Sequence, residues 1–371
     1  MMTEPIFFGS EIYRRSSYGP WHPLRVPRVS TVMDLSRALG WLPATRYRTS
    51  PRAKPSALSI WHHADYLAAL QRAEVQQHVS DADRAQYGLG TPSNPVFPEM
   101  YRRPATGAGA VMMAAELLRE GGVVYCPAGG THHGMAGRAN GFCYLNDPVL
   151  GILTLRRMGL RRIAYVDIDA HHPDGVEEAF RDDPDILMIS VHEEKRWPFT
   201  GALDDIGVGN LFNLPVPRGF NDSEMEAALH RLLLPTLTHF VPEAVVLQCG
   251  ADAVEEDPLS RLALSNSALW SVVAALRDLS PRYLVLGGGG YNPWSVGRAW
   301  TGVWATLSGA EIPDRLPPEA EAILRDIAWS GHSRAKSPPE TLFTTLRDAP
   351  RPGPVRQEIL DRLEVLERWL G

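Results

Sequence analysis

Cysteine is scarce in this chain: Cys126, Cys143 and Cys249 are the only three in 371 residues. They are too few and too scattered for a disulfide framework or a thiolate zinc site. Each sits in an apolar or Gly-aromatic context, where buried free thiols are common. No apolar run approaches the roughly 18 residues needed to span a bilayer. Basic excess is missing too, because 37 Lys and Arg stand against 43 Asp and Glu, a net charge of −6. No cationic face is advertised for nucleic acid or an anionic membrane. The opening Met1-Met2-Thr3-Glu4-Pro5 lacks the basic-then-apolar layout of a secretory signal. There is no repeat period and no low-complexity linker. With 44% hydrophobic and 22% charged residues, the expectation is an ordinary soluble globular protein of the cytoplasm.

What is present is an alternation of apolar strands and helical patterns. Strands are expected at Gly122 to Cys126, Arg162 to Val166, Asp185 to Val191, Ala244 to Cys249 and Tyr283 to Leu286. Helices are expected at Ala105 to Glu120, Pro148 to Met158, Asp222 to Phe240 and Ser265 to Leu279. Continuous apolar strands separated by helices imply an α/β fold with a parallel sheet covered on both faces. The segment from Tyr13 to Thr106 is Pro-rich and irregular, with a helical piece at Leu58 to Val75. After Trp304 the chain turns polar and Pro-rich, ending in an amphipathic helix near Gln357 to Trp369. That helix either packs on the domain or joins a partner.

Each of the five strands is followed by a candidate reactive group. The second runs into Asp167-Ile168-Asp169-Ala170-His171-His172, where two carboxylates and two imidazoles crowd into six residues. Ionised carboxylates are costly to bury unless paired or metal-bound. Asp169 and His171, two apart in extended chain, point to one side. The first strand leads to Gly129-Gly130-Thr131-His132-His133-Gly134, the third ends in Ser190-Val191-His192, the fourth precedes Asp252, and the fifth precedes Gly287-Gly288-Gly289-Gly290-Tyr291. One such strand end means little, since a lone Asp after a strand is most often a helix cap. Five are different, because the ends of parallel strands share one rim, where open α/β sheets bind ligands. Twelve histidines form three adjacent pairs, where random placement gives fewer than one. His62-His63, after Trp61 on an expected exposed helix, is the pair read as having no function.

Assembled chemically, Asp169, His171 and Asp252 supply two oxygens and one nitrogen and leave a fourth tetrahedral position open. Three protein ligands plus water is the pattern of catalytic zinc, though an oxygen-rich set also admits Fe(II), Mn(II) or Co(II). His132 and His133 are candidate general base and acid. Asp167 and Asp174 remain spare carboxylates at this point. Tyr291, after four glycines, is placed to donate to a developing oxyanion. The reaction class is metal-assisted hydrolysis of an amide or ester.

These residues resemble a known family. Gly129 to His133, Gly141-Phe142-Cys143-Tyr144-Leu145-Asn146-Asp147, Tyr165 to His172, Gly250-Ala251-Asp252 with Asp257-Pro258, and Gly287 to Asn292 are similar to motifs of the zinc-dependent histone deacetylases. That family includes acetoin-utilisation-type proteins and acetylpolyamine amidohydrolases. The match covers about residues 20–305 in order, leaving a C-terminal helical tail at about 306–371. It implies the single-domain arginase/deacetylase fold over 1–371, with a mostly parallel central sheet and helices on both faces. It implies one Zn2+ held by Asp169, His171 and Asp252, with Asp167 orienting His132 and Asp174 orienting His133. His133 becomes the main general base and acid, His132 an electrostatic aid, and Tyr291 the group polarising the acyl carbonyl. Phe142 and Trp197 are implied as walls of a narrow channel, lined also by Gly141 and Gly289, with Leu259 at its rim. A structural K+ is implied around Asp167, Asp169, His171, Ser190 and Val191, and Arg28 resembles the arginine that accompanies acetate release.

The same fold family holds two-metal arginases, whose motif reads Asp-x-Asp-x-x-Asp-Pro. Here Val254 stands at the middle aspartate and cannot ligate, which favours a single-metal amidohydrolase. Other positions depart from the family pattern. Pro173 replaces a glycine, Thr131 stands where many eukaryotic members carry tryptophan, and Ser93 stands near the place of a substrate-clamping aspartate. The expected activity is therefore removal of acetyl or other short acyl groups from acylated lysine. Deacetylation of a polyamine or other small N-acyl amine is the alternative, and a non-catalytic acyl-ligand binder a further one. No nucleic-acid or membrane partner is expected.

Overall fold

The computed structural model describes residues 4–329 and 336–369. Its centre is one eight-stranded sheet: β1 (Ile6–Gly9), β2 (Tyr47–Thr49), β3 (Gly122–Cys126), β4 (Ile163–Asp167), β5 (Ile186–Glu193), β6 (Leu211–Val216), β7 (Ala244–Gln248) and β8 (Arg282–Leu286). The strand order is β2-β1-β3-β8-β7-β4-β5-β6, and every pairing is parallel. All carboxyl ends therefore lie along one rim, the geometry that the five expected strands required.

The inner strands are apolar on both faces because both faces are covered. On β4, Ala164 and Val166 join one core, while Ile163 and Tyr165 join the other. The first core is closed by the helices Val29–Ala38, Asn266–Leu276 and Pro293–Ser308, the second by Arg102–Leu117 and Asp147–Arg157. A third cluster, containing Tyr18, Leu58, Tyr66, Phe97, Tyr144 and Tyr291, is built largely by the irregular first hundred residues. The helix over Asp222–Ala228 opens with a capping box from Asn221 to Glu224. It passes through a wider π turn at Leu229–Leu233 into Leu234–Phe240, where Pro235 lacks an N–H.

Three strands lay outside the five read from the sequence. β1 and β2 are short, and β6 carries Asn213 and Pro215. The expected helix from Leu58 to Val75 is broken: a turn at Pro55–Leu58 is separated from Ala64–Gln76 by Ser59 to His63. His62 falls in that break and is 2% exposed, which corrects its placement on an exposed helix. Its ring accepts from the backbone N–H of Asn146 at 3.0 Å and meets the carbonyl of Ala136 at 3.2 Å. The pair read as functionless therefore contains a structural histidine clamping the segment that carries His132 and His133.

The C-terminal helix Gln357–Glu367 packs on the domain: Ile359, Leu363 and Leu366 belong to the same core as the strands. Arg231 and Glu367 pair at 2.7 Å, and Arg362 reaches both the Pro215 carbonyl and Glu194. Among the described residues, no helix is long and apolar enough to cross a membrane. Because Leu363 is fully buried, Leu363→Ala should cost about 2–5 kcal/mol of unfolding free energy. An unchanged urea midpoint would show that the tail lies outside the cooperative unit.

Candidate active site

The strand ends deliver the site. β4 stops at Asp167, and the next four residues turn Asp169 and His171 across the rim. β7 stops at Gln248 and the following short turn presents Asp252. Asp169, His171 and Asp252 each offer a donor atom, all within 4.8 Å of one another. His171 Nδ1 lies 2.9 Å from Asp252 Oδ2 and 3.3 Å from Asp169 Oδ1. A tetrahedral ion with ligand bonds of about 2.0–2.1 Å spaces its donors by about 3.3 Å. The charge balance fits an ion as well as the spacing does. Burial alone would depress His171, yet its bonds to the Asp169 and Asp252 carboxylates outweigh burial and push it up to about 10. Burial and the adjacent Asp169 charge raise Asp252. Two buried carboxylates side by side call for positive charge between them, and these residues can hold a divalent cation.

Two glycines make the close packing possible. The Gly289 N–H donates to Asp169 Oδ2 at 2.6 Å, and a Cβ there would run into the Asp252 carboxylate. Gly141 sits at φ +52°, and a Cβ would strike the ring of Trp197. The next residue, Phe142, is itself held at φ +69°, a strained conformation of the kind found at functional sites.

Both histidines of the second pair are held by carboxylates from the stretch that also carries Asp169 and His171. His132 Nδ1 meets Asp167 Oδ2 at 2.8 Å, and His133 Nδ1 meets Asp174 Oδ1 at 2.7 Å. Their rings lie 3.9 Å apart but carry opposite electrostatics. Burial opposes charge on His132, but the carboxylates of Asp167 and Asp169 outweigh it and raise its pKa to about 9. His133 is lowered to about 3, first by burial and then by the charge on His132. One imidazole is thus charged at neutrality and its neighbour is neutral.

Above them stands an aromatic corridor. The Trp197 ring lies 4.6 Å from that of His133, and Phe142 lies 5.8 Å from Tyr291, edge to face. The mouth is a cavity of about 710 Å³ lined by Phe142, Trp197, Leu259, Gly141 and Tyr291. Gly289 does not line this mouth; with Arg28 and Thr131 it lines a smaller inner chamber of about 50 Å³ behind the histidines. Arg28 Nη1 donates to the Gly288 carbonyl at 2.8 Å, and its guanidinium lies over Trp300. Ser190 and Asp167 are register partners on β5 and β4, with Val191 next along.

Several functional supports escaped sequence reading. Asp257, 1% exposed, accepts from the Tyr291 N–H at 2.6 Å and the Leu259 N–H at 2.8 Å, so it fixes the tyrosine and the rim together. The Asp257-Pro258 pair was the available signal, without its role. Asn140 Nδ2 donates to Asp174 Oδ2 at 3.0 Å. Tyr165 donates to Asp167 Oδ2 at 2.5 Å. Asp147 accepts from the Gly130 and Thr131 N–H groups. His172, which had no expected role, bridges Thr200 at 2.8 Å and Glu177 at 2.9 Å.

Comparison with known proteins follows the same lines. Residues 22–307 match the model of the histone deacetylase domain. The acetoin utilization protein AcuC of Bacillus subtilis is 31% identical over 332 residues, covering 86% of this chain and 86% of that protein. Histone deacetylase 8 of Xenopus tropicalis is 34% identical over 302 residues, covering 79% and 81% respectively. The crystal structure of a histone deacetylase homolog from Aquifex aeolicus superposes with a TM-score of 0.94 at 36% identity, over 98% of this chain and 100% of that one. The crystal structure of a histone deacetylase homolog complexed with SAHA superposes equally, with a TM-score of 0.94 at 36% identity over 98% of this chain and 100% of that one.

In chelator-treated protein, an NMR titration of the imidazoles should find His132 charged up to about pH 9 and His133 neutral down to about pH 3. By linkage, the His132 contribution to stability is complete below its unfolded pKa, about 6.5, and is lost as pH rises through about 9. Two histidines titrating together near their ordinary value would contradict this electrostatic division.

Proposed function

This chain belongs to the histone deacetylase family, and from that membership we propose that it is a zinc-dependent amidohydrolase acting on acylated lysine side chains. The observation that carries the reading is the juxtaposition of the Asp169, His171 and Asp252 donors with two carboxylate-held histidines at the foot of an aromatic corridor. A divalent ion held by Asp169, His171 and Asp252 would supply Lewis acidity toward the acyl oxygen and water.

The chain's own groups do the rest. The acyl-lysine stem lies between Phe142 and Trp197, and the Tyr291 hydroxyl donates to the acyl oxygen as it gains negative charge. Burial, then the charges of Asp252 and Asp169, hold that hydroxyl well above its ordinary pKa, so it keeps its proton. Neutral His133 takes the proton of the attacking water at Nε2, its Nδ1 being engaged by Asp174, and returns it to the departing amine. Charged His132, anchored by Asp167, offsets the charge of the tetrahedral centre. The C–N bond breaks, the amine leaves by the mouth, and the carboxylate passes to the inner chamber beside Arg28. A K+ ion on Asp167, Asp169, His171, Ser190 and Val191 would stiffen the loop bearing the donors. The three free, buried thiols suit a reducing compartment, and the cytoplasm is the proposed location.

The test is metal content per chain together with amine release from acetyl-lysine peptides, longer acyl-lysines and acetylated polyamines. Inactivity on the whole panel with zinc bound would sink the proposal. Tyr291→Phe should keep its metal and lower turnover by about 10²–10³, as expected for losing one oxyanion donor; unchanged turnover removes Tyr291 from the chemistry. Asp252→Ala should lose the metal, and full occupancy in that variant would overturn the donor set.

A further inference from the structure

The mouth of the corridor carries charge of one sign. Arg138, Lys195 and Arg196 line it, and among the described residues no carboxylate does, in a chain whose net charge is −6. The lining also takes in Thr91, Ser93 and Asn94, none of them ionised.

The three cations differ in how they are compensated. Arg196 is paired with buried Glu193 and donates to the Leu259 carbonyl at 2.8 Å, so it serves as rim scaffold with its charge offset. Lys195 Nζ stands 3.2 Å from Glu194, but the same carboxylate meets Arg362 at 2.9 Å. Arg362 also has Glu358 at 3.8 Å, and the lysine side chain is 85% exposed, so water screens its pairing and leaves its charge open to a ligand. Arg138 is exposed and makes no ion pair among the described residues. Arg138 precedes Phe142 by four residues and Lys195 precedes Trp197 by two. The two exposed positive charges thus sit on the two segments that supply the aromatic residues Phe142 and Trp197.

A cationic entrance repels a polyamine or a lysine-rich segment before the acyl group arrives. It attracts a substrate whose carboxylates flank the acyl-lysine, since complementary rim charge acts on encounter and on partner choice. Resting on the deacylase reading above, we propose that the substrate is an acyl-lysine in an acidic sequence, with Asp or Glu side chains near it meeting Arg138 and Lys195.

The experiment compares acetyl-lysine peptides of one length carrying Glu, Gln or Lys at the flanking positions, with an acetylated polyamine as a further substrate. At low salt the Glu-flanked peptide should exceed the Lys-flanked one in kcat/KM by about tenfold, the combined effect of two exposed charge pairs. The ratio should fall toward one at about 0.5 M NaCl, where screening is strong. In an Arg138→Glu, Lys195→Glu double variant the order should invert. Both peptides are read on one preparation, so partial misfolding cannot produce the inversion. A wild-type enzyme that is active yet indifferent to the flanks, or that prefers Lys flanks or the polyamine, overturns this inference alone. Inactivity on every substrate overturns the deacylase reading and this inference with it.

Discussion

The structure turns on two carboxylates that repel each other. Asp169 and Asp252 are buried, share the imidazole of His171 as neighbour, and leave Gly289 no room for a side chain. Such a pair is tolerable only where positive charge is supplied. The surroundings divide that task among the His171 ring, the Gly289 N–H and charged His132. Burial disfavours charge on His133, charged His132 beside it adds to that, and an acid-base asymmetry between identical side chains follows.

A parallel sheet is the natural scaffold for this arrangement. The five inner strands contribute the site residues at their carboxyl ends, and they bring groups 120 residues apart, Asp169 and Gly289, to within 2.6 Å. Some of the supporting bonds run between loops. Asp257 ties the rim to Tyr291, and Arg196 ties the Trp197 turn to Leu259. The corridor therefore depends on several strand ends staying in register, which the long apolar strands enforce from both faces.

How much of this was legible depended on whether the signal was local. The inner strands are continuous apolar runs, and all five were readable. β1 is only four residues, β2 exposes Arg48 and Thr49, and Asn213 and Pro215 interrupt β6, so none of the three carries a strand pattern strong enough to detect. The donors Asp169 and His171 were readable from their two-residue spacing. The pairing of His132 with Asp167 and of His133 with Asp174 spans 35 and 41 residues and leaves no periodicity; it came from family resemblance alone. His62 was misplaced because Trp61-His62-His63 continues a helical pattern that the chain abandons at Ser59, and the break turns the ring inward. The role of Asp257 was hidden because it binds backbone amides, whose partners no side-chain pattern records.

The two outer strands show how the sheet is ended. One border, β2, is three residues long, and the other, β6, has a proline at 215 whose carbonyl is taken by Arg362 of the C-terminal helix. An open sheet presents unpaired amides that invite strand addition from other molecules. Here one margin is too short to template a partner, and the other has lost a donor and had an acceptor satisfied from within. The C-terminal helix thus has a colloidal consequence: by finishing the β6 margin it removes a foothold for edge-to-edge growth, and crowding need not lead to fibrous association.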